Sequence, residues 1–207
     1  MSQPIDYYFS LQSPWAYIGH EIFRELVSAY DLKVNYKPVV LIELFEETGG
    51  MPLGKRHPVR QHYRLVELQR WRAKRGLDFH LQPKHWPFNA KLADSVVIAA
   101  VESGLDPDSY LRQAYPAMWE RQLDLADPQV LVTLADAAGL PGTSLVERAA
   151  SAGIGEIYQQ NRQHALDAGV FGSPAYVLNG EVFWGQDRLD LLDDALKSGR
   201  PPFRPPS

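Results

Sequence analysis

The chain has 207 residues, 45% of them hydrophobic and 22% charged, which is enough apolar material for a substantial core. Lys and Arg number 21 against 25 Asp and Glu, so the net charge of −4 gives no overall attraction to nucleic acid or to an anionic membrane surface. Cysteine is absent, which excludes disulfides, cysteine nucleophiles, thiolate metal sites and an internal dithiol; any sulfur chemistry needs a thiol from outside.

The first residues carry neither the basic nor the apolar region of a signal peptide, and no apolar run approaches the ~20 residues of a membrane span. The expectation is a cytoplasmic protein without membrane or nucleic-acid partners. Residues 5–9 (IDYYF) read as a buried strand. Residues 10–12 break it. Ser13 then stands at an N-cap and Pro14 at the first helical position, ahead of Trp15, Ile18, Ile22, Phe23 and Leu26 at spacings of three and four. Residues 33–40 read as a second strand, completing a βαβ unit. Helical spacing follows over 59–75, 90–103, 107–119, 128–138 and 143–168, with irregular connections at 49–58 and 80–89. Residues 176–178 and 181–184 flank Asn179-Gly180, a strong hairpin signal because both residues tolerate the positive φ of a type I′ turn. Asp187 is placed to cap a last helix with Leu189, Leu192, Ala195 and Leu196 inward, and residues 200–207, with four prolines, read as an irregular tail. The outline is α/β: a thioredoxin-like βαβ…ββα domain built from residues 1–41 and 169–207, with a large all-helical insertion over 42–168.

Three segments are candidates for chemistry. Ser13-Pro14-Trp15-Ala16 places a hydroxyl at a helix N-terminus, where the orphan amides and the helix dipole favour an anion such as a thiolate; the same serine also serves simply as a cap. Gly172-Ser173-Pro174 precedes a strand, and a cis Ser173-Pro174 bond would leave the Ser173 backbone free to pair with an extended ligand, whereas a trans bond would be an ordinary turn. Trp184-Gly185-Gln186-Asp187-Arg188 reads either as a capped helix start or as a second site for a charged ligand. The six histidines form no ligand pair on one helix face, so no metal site is expected. The basic stretch 55–60 reads at most as an anion-contacting loop.

Taken in order, these segments resemble the 2-hydroxychromene-2-carboxylate isomerases, which belong with kappa-class glutathione transferases to the DsbA-like branch of the thioredoxin superfamily. The strand leading into Ser13-Pro14-Trp15-Ala16, the Gly172-Ser173-Pro174 segment and the terminal Gly185-Gln186-Asp187-Arg188 carry the likeness. Leu44-Phe45, Thr48-Gly49-Gly50-Met51-Pro52 and Pro58-Val59-Arg60 are similar to the family's glutathione-contacting loop and helix. Gly50 stands where the family often has Asn, and Arg60 where it has Lys. The resemblance implies glutathione as cofactor, with Ser13 catalytic and holding its thiolate. Ser173 and Pro174 would then meet its backbone, Gln186 and Asp187 its γ-glutamyl end, and Arg60 its glycyl carboxylate. It implies a cis–trans isomerase of an aromatic unsaturated 2-oxo acid, acting by reversible thiol addition in a homodimer, and Trp15, Tyr17, Trp86 and Phe88 are the residues placed to stack the aromatic substrate. The alternatives that share these motifs are a kappa-like glutathione transferase and a non-catalytic DsbA-like binding protein.

Overall fold

Tyr7, Tyr8 and Phe9 are all buried although they point to opposite faces of one strand, so that strand must be covered on both sides. The computed structural model, which describes residues 2–206, places it accordingly. Strand β1 (Gln3–Phe9) is internal to a four-stranded sheet of order β2-β1-β3-β4. It pairs in parallel with β2 (Leu32–Pro38) and antiparallel with β3 (Ala175–Leu178), which pairs antiparallel with β4 (Glu181–Trp184). Helix α1 (Pro14–Ala29) makes the β1-to-β2 crossover. Asn179 and Gly180 turn the hairpin with φ of 52° and 77°, as the Asn-Gly pair requires.

Between β2 and β3 run α2 (Leu41–Thr48), α3 (Pro58–Arg75), α4 (Lys91–Glu102), α5 (Asp108–Trp119), α6 (Pro128–Ala137), α7 (Gly142–Ala149) and α8 (Ala152–Asp167). Helix α9 (Leu189–Ser198) closes the chain. The helical segment shares one hydrophobic core with the sheet: Ile5, Tyr7 and Phe9 of β1 belong to the same cluster as Tyr115, Trp119, Leu134 and Leu145. The Tyr7 and Tyr115 hydroxyls lie 3.3 Å apart across that junction. Tyr8 faces the other way, into a smaller cluster with Val39, Leu44, Val170 and Val177. No described helix is long and apolar enough to cross a membrane.

Three expectations need correction. Helix α2 lies where no helix is expected, because two turns are too short for apolar periodicity to declare itself. The single helix expected over 143–168 is two, broken at Ala150 and restarted where the Ser151 side chain accepts from Ile154 N. Asp187 does not cap α9: it lies in a 3₁₀ turn (Gln186–Arg188), and its carboxylate is taken by Arg188 at 2.7 Å. The proline-rich tail has no regular structure but is tied down. Arg200 holds Glu181 through two bonds of 2.7 and 2.9 Å, and Arg204 donates to the carbonyls of Asn179 and Gly180.

Candidate active site

Ser13 ends the turn that follows β1, with its N–H donating to Ser10 O at 3.0 Å. Its extended backbone lets the hydroxyl oxygen turn back over the helix and accept from Ala16 N at 3.3 Å, while the hydroxyl donates to Ser173 O at 3.1 Å. Pro14 follows at a position whose amide has no helical acceptor in any case. The hydroxyl thus sits at the positive end of a 16-residue helix.

The Ser173-Pro174 bond is cis. Ser173 Oγ accepts from Ser10 N at 3.2 Å, and Pro174 O accepts from Gly185 N at 2.8 Å. The Ser173 N–H has no partner among the described residues, leaving a backbone donor beside the Ser13 hydroxyl. Gly172 lets this segment pass Trp184, since a Cβ there would lie 2.3 Å from the indole nitrogen.

A cavity of about 410 Å³ opens onto Ser13 and Ser173. Trp15, Ile42, Phe45 and Trp86 give it apolar walls, and Trp86 is fixed by donating its indole N–H to Gln12 O at 2.9 Å. Two cations reach it. Arg64 of α3 is only 9% exposed and lies 4.8 Å from the Trp86 ring centroid, with no carboxylate or hydrogen-bond acceptor among the described residues. Burial, and then the neighbouring Arg56, pull its pKa down to about 10, so it remains charged at neutral pH. Arg56 is half-buried, donates to Met51 O at 2.7 Å, and is likewise lowered by burial and by Arg60. Two guanidinium groups held in an aromatic cavity without counter-charges form a receptor for an anion.

The sequence candidates divide on this geometry. Ser13, Ser173, Trp15 and Trp86 line the cavity together, and Pro174 is buried next to them. Arg60 is exposed and does not line it; Arg56, in the loop before α3, and Arg64, on α3, do. Tyr17 is a core residue, donating to Glu120 at 2.7 Å and packing edge-on against Phe79. Phe88 lines an adjoining groove with Ser10 and Leu41. Gln186 is buried under α1, its Cβ near Gly19, and accepts from Arg75 at 3.4 Å. Asp187 is occupied by Arg188, outside the cavity lining.

Behind the turn lies a residue that sequence reasoning missed. Asp94 of α4 is fully buried and accepts three hydrogen bonds of 2.8 Å, from Ser10 Oγ, Leu11 N and Tyr158 OH. Burial raises its pKa to about 7, against the lowering effect of those three donors. Its only sequence signal is a carboxylate on the apolar face of a helix, between Ala93 and Val96. No group of three or more His, Cys, Asp or Glu among the described residues is placed to hold a metal.

A mixed sheet entered by a helix N-terminus, with a cis-proline segment opposite and helices inserted between the halves, defines a thioredoxin-type protein. The DSBA-like thioredoxin domain model matches residues 4–197, and the chain belongs to that family. Within it, the chain is 30% identical over 199 residues to the 2-hydroxychromene-2-carboxylate isomerase of Sphingobium xenophagum, covering 95% of this chain and 99% of that one. It is 25% identical to glutathione S-transferase kappa 1 of Caenorhabditis elegans, covering 95% and 92%. Among solved structures, a 2-hydroxychromene-2-carboxylate isomerase superposes with a TM-score of 0.83 over 95% of each chain at 22% identity, a likeness of fold.

Proposed function

We propose that this protein is a glutathione-dependent cis–trans isomerase of an aromatic unsaturated 2-oxo acid. The observation that carries the reading is the Ser13 hydroxyl, at a helix N-terminus in a chain without cysteine, facing an apolar cavity that holds two unpaired guanidinium groups. A relative named as an isomerase supports the reaction, and a relative named as a kappa glutathione transferase supports glutathione as the thiol.

The residues present suit the tripeptide. The unpartnered Ser173 N–H offers a backbone donor, and Arg64 offers a buried cation to a carboxylate. When bound, glutathione would supply a thiolate that adds reversibly to a conjugated double bond, which allows rotation about it. Ser13 would hold that sulfur anionic by turning its hydroxyl from Ser173 O toward it, helped by the first amides of α1. Trp15 and Trp86 would enclose the aryl group and keep water from the reacting carbons. Arg56 and Arg64 would take the substrate and glycyl carboxylates between them.

Calorimetric titration tests this directly. Glutathione should bind, and Ser13→Ala should weaken binding at a pH where the thiol is ionised by roughly 10-fold or more, the value of a hydrogen bond to a charged group. A wild-type titration without heat at millimolar ligand would reject the cofactor. Isomerisation of benzylidenepyruvates should follow. Turnover of 1-chloro-2,4-dinitrobenzene without it would favour the transferase reading, which the kappa relative motivates.

A further inference from the structure

The network behind the cavity reaches the serine by a continuous path. Asp94 Oδ2 accepts from Ser10 Oγ, and Ser10 Oγ in turn accepts from Gln12 N at 3.3 Å. Ser10 N donates to Ser173 Oγ, Ser10 O accepts from Ser13 N, and Ser13 donates to Ser173 O. Asp94 Oδ1 separately holds Leu11 N. The carboxylate thus holds the turn before Ser13 directly at Ser10 and Leu11, while the Trp86 indole holds it separately at Gln12 O.

We infer that Asp94 is a positioning residue of the site: its ionised carboxylate gathers the Ser10 hydroxyl, the Leu11 amide and the Tyr158 hydroxyl, and so sets where Ser13 and Ser173 present their groups to a ligand. A neutral acid cannot accept from all three as well, because it carries a proton needing an acceptor of its own. The structure provides for that state too. Tyr158 OH lies 3.1 Å from Val39 O as well as 2.8 Å from Asp94, so it has a second acceptor when the carboxyl takes a proton. The groups around Asp94 are Ser10 and Leu11 after β1, Tyr158 on α8, and Tyr110 and Tyr115 on α5, with Glu43 of α2 acting on Tyr158. Lys91, a turn earlier on α4, is exposed. No cation among the described residues pairs with the carboxylate. The network therefore has two protonation states, and only one of them fully holds the turn.

The inference rests on the glutathione reading for its ligand, and the test separates the two. Glutathione sulfonate keeps its sulfur group anionic throughout pH 6–8, so the thiol's own ionisation drops out. Its affinity for the wild type should rise at least about fivefold from pH 6 to pH 8, and Asp94→Asn should flatten that rise. Equal slopes in the two proteins would overturn the inference. Absence of binding at every pH would instead reject the glutathione reading. The wild type without ligand then decides the matter, as it does if the variant does not fold. By NMR, the Ser13 and Ser173 amide resonances should titrate with the same midpoint as the Asp94 carboxyl carbon. Amides that stay still while Asp94 titrates would overturn it.

Discussion

Two carboxylates on neighbouring helices of the inserted segment, Asp94 and Asp108, are both sheltered from solvent and have opposite fates. Asp108 at the start of α5 has Arg24 Nε at 2.6 Å and His20 Nε2 at 3.3 Å, and these partners hold its pKa below the usual carboxylate range against the cost of burial. Asp94 receives only neutral donors, and burial wins. The first pair ties α1 to α5. The second carboxylate lies beneath the turn that presents Ser13. An ion pair makes a dependable joint, whereas a carboxylate held by hydroxyls and an amide keeps two protonation states within reach.

The sharpest way to break this contrast is the pH dependence of stability. Asp94 has a raised pKa when folded, so the unfolded chain binds fewer protons in the interval between the two values. Its contribution is fully present below about pH 4 and is lost as pH rises to about 7. Asp94→Asn should therefore gain on the wild type by a few kcal/mol across that window in urea denaturation series, and parallel curves would refute the shift.

Asp108 has the opposite sign. Its depressed pKa adds stability that is present above pH 4 and lost as pH falls through the folded value. Asp108→Asn should cost roughly 1–2 kcal/mol at pH 7, less than a fully buried pair because solvent reaches part of the group, and the deficit should shrink in acid. A deficit independent of pH would show that Asp108 acts by packing alone.

The smallest effect sharpens the comparison. Tyr158→Phe removes one of the three donors that pull the Asp94 pKa down, so its carboxyl midpoint should move upward by NMR, with about 1 kcal/mol lost overall. A midpoint that falls would mean the hydroxyl is not donating to Asp94.

Much of the frame is legible in local chemistry. Ser13-Pro14 starts a helix because a side-chain acceptor precedes a residue without an amide proton, and Asn179-Gly180 turns a hairpin because both residues accept positive φ. The helical segments expected over 59–75, 90–103, 107–119 and 128–138 declare themselves by spacing. The site is less legible. Arg60, which stands where the family has Lys, is exposed on α3 outside the cavity lining, while Arg64 of the same helix and Arg56 of the loop before it reach the cavity. Tyr17 has the composition of a substrate-pocket residue and is instead engaged by Glu120 in the core.

Residue types and their spacing establish that no sulfur nucleophile is built in, that a serine opens the first helix, and that strands at both ends enclose helices. Each of these follows from composition or from contacts within a few residues. That Asp94 stands behind that serine follows from the packing, since its partners come from residues 84, 83 and 64 positions away. The same holds for the two unpaired arginines in the cavity. Local spacing specifies backbone conformation, but which groups meet in the interior, and whether a buried charge finds a counter-charge there, is settled by how the helices pack on the sheet.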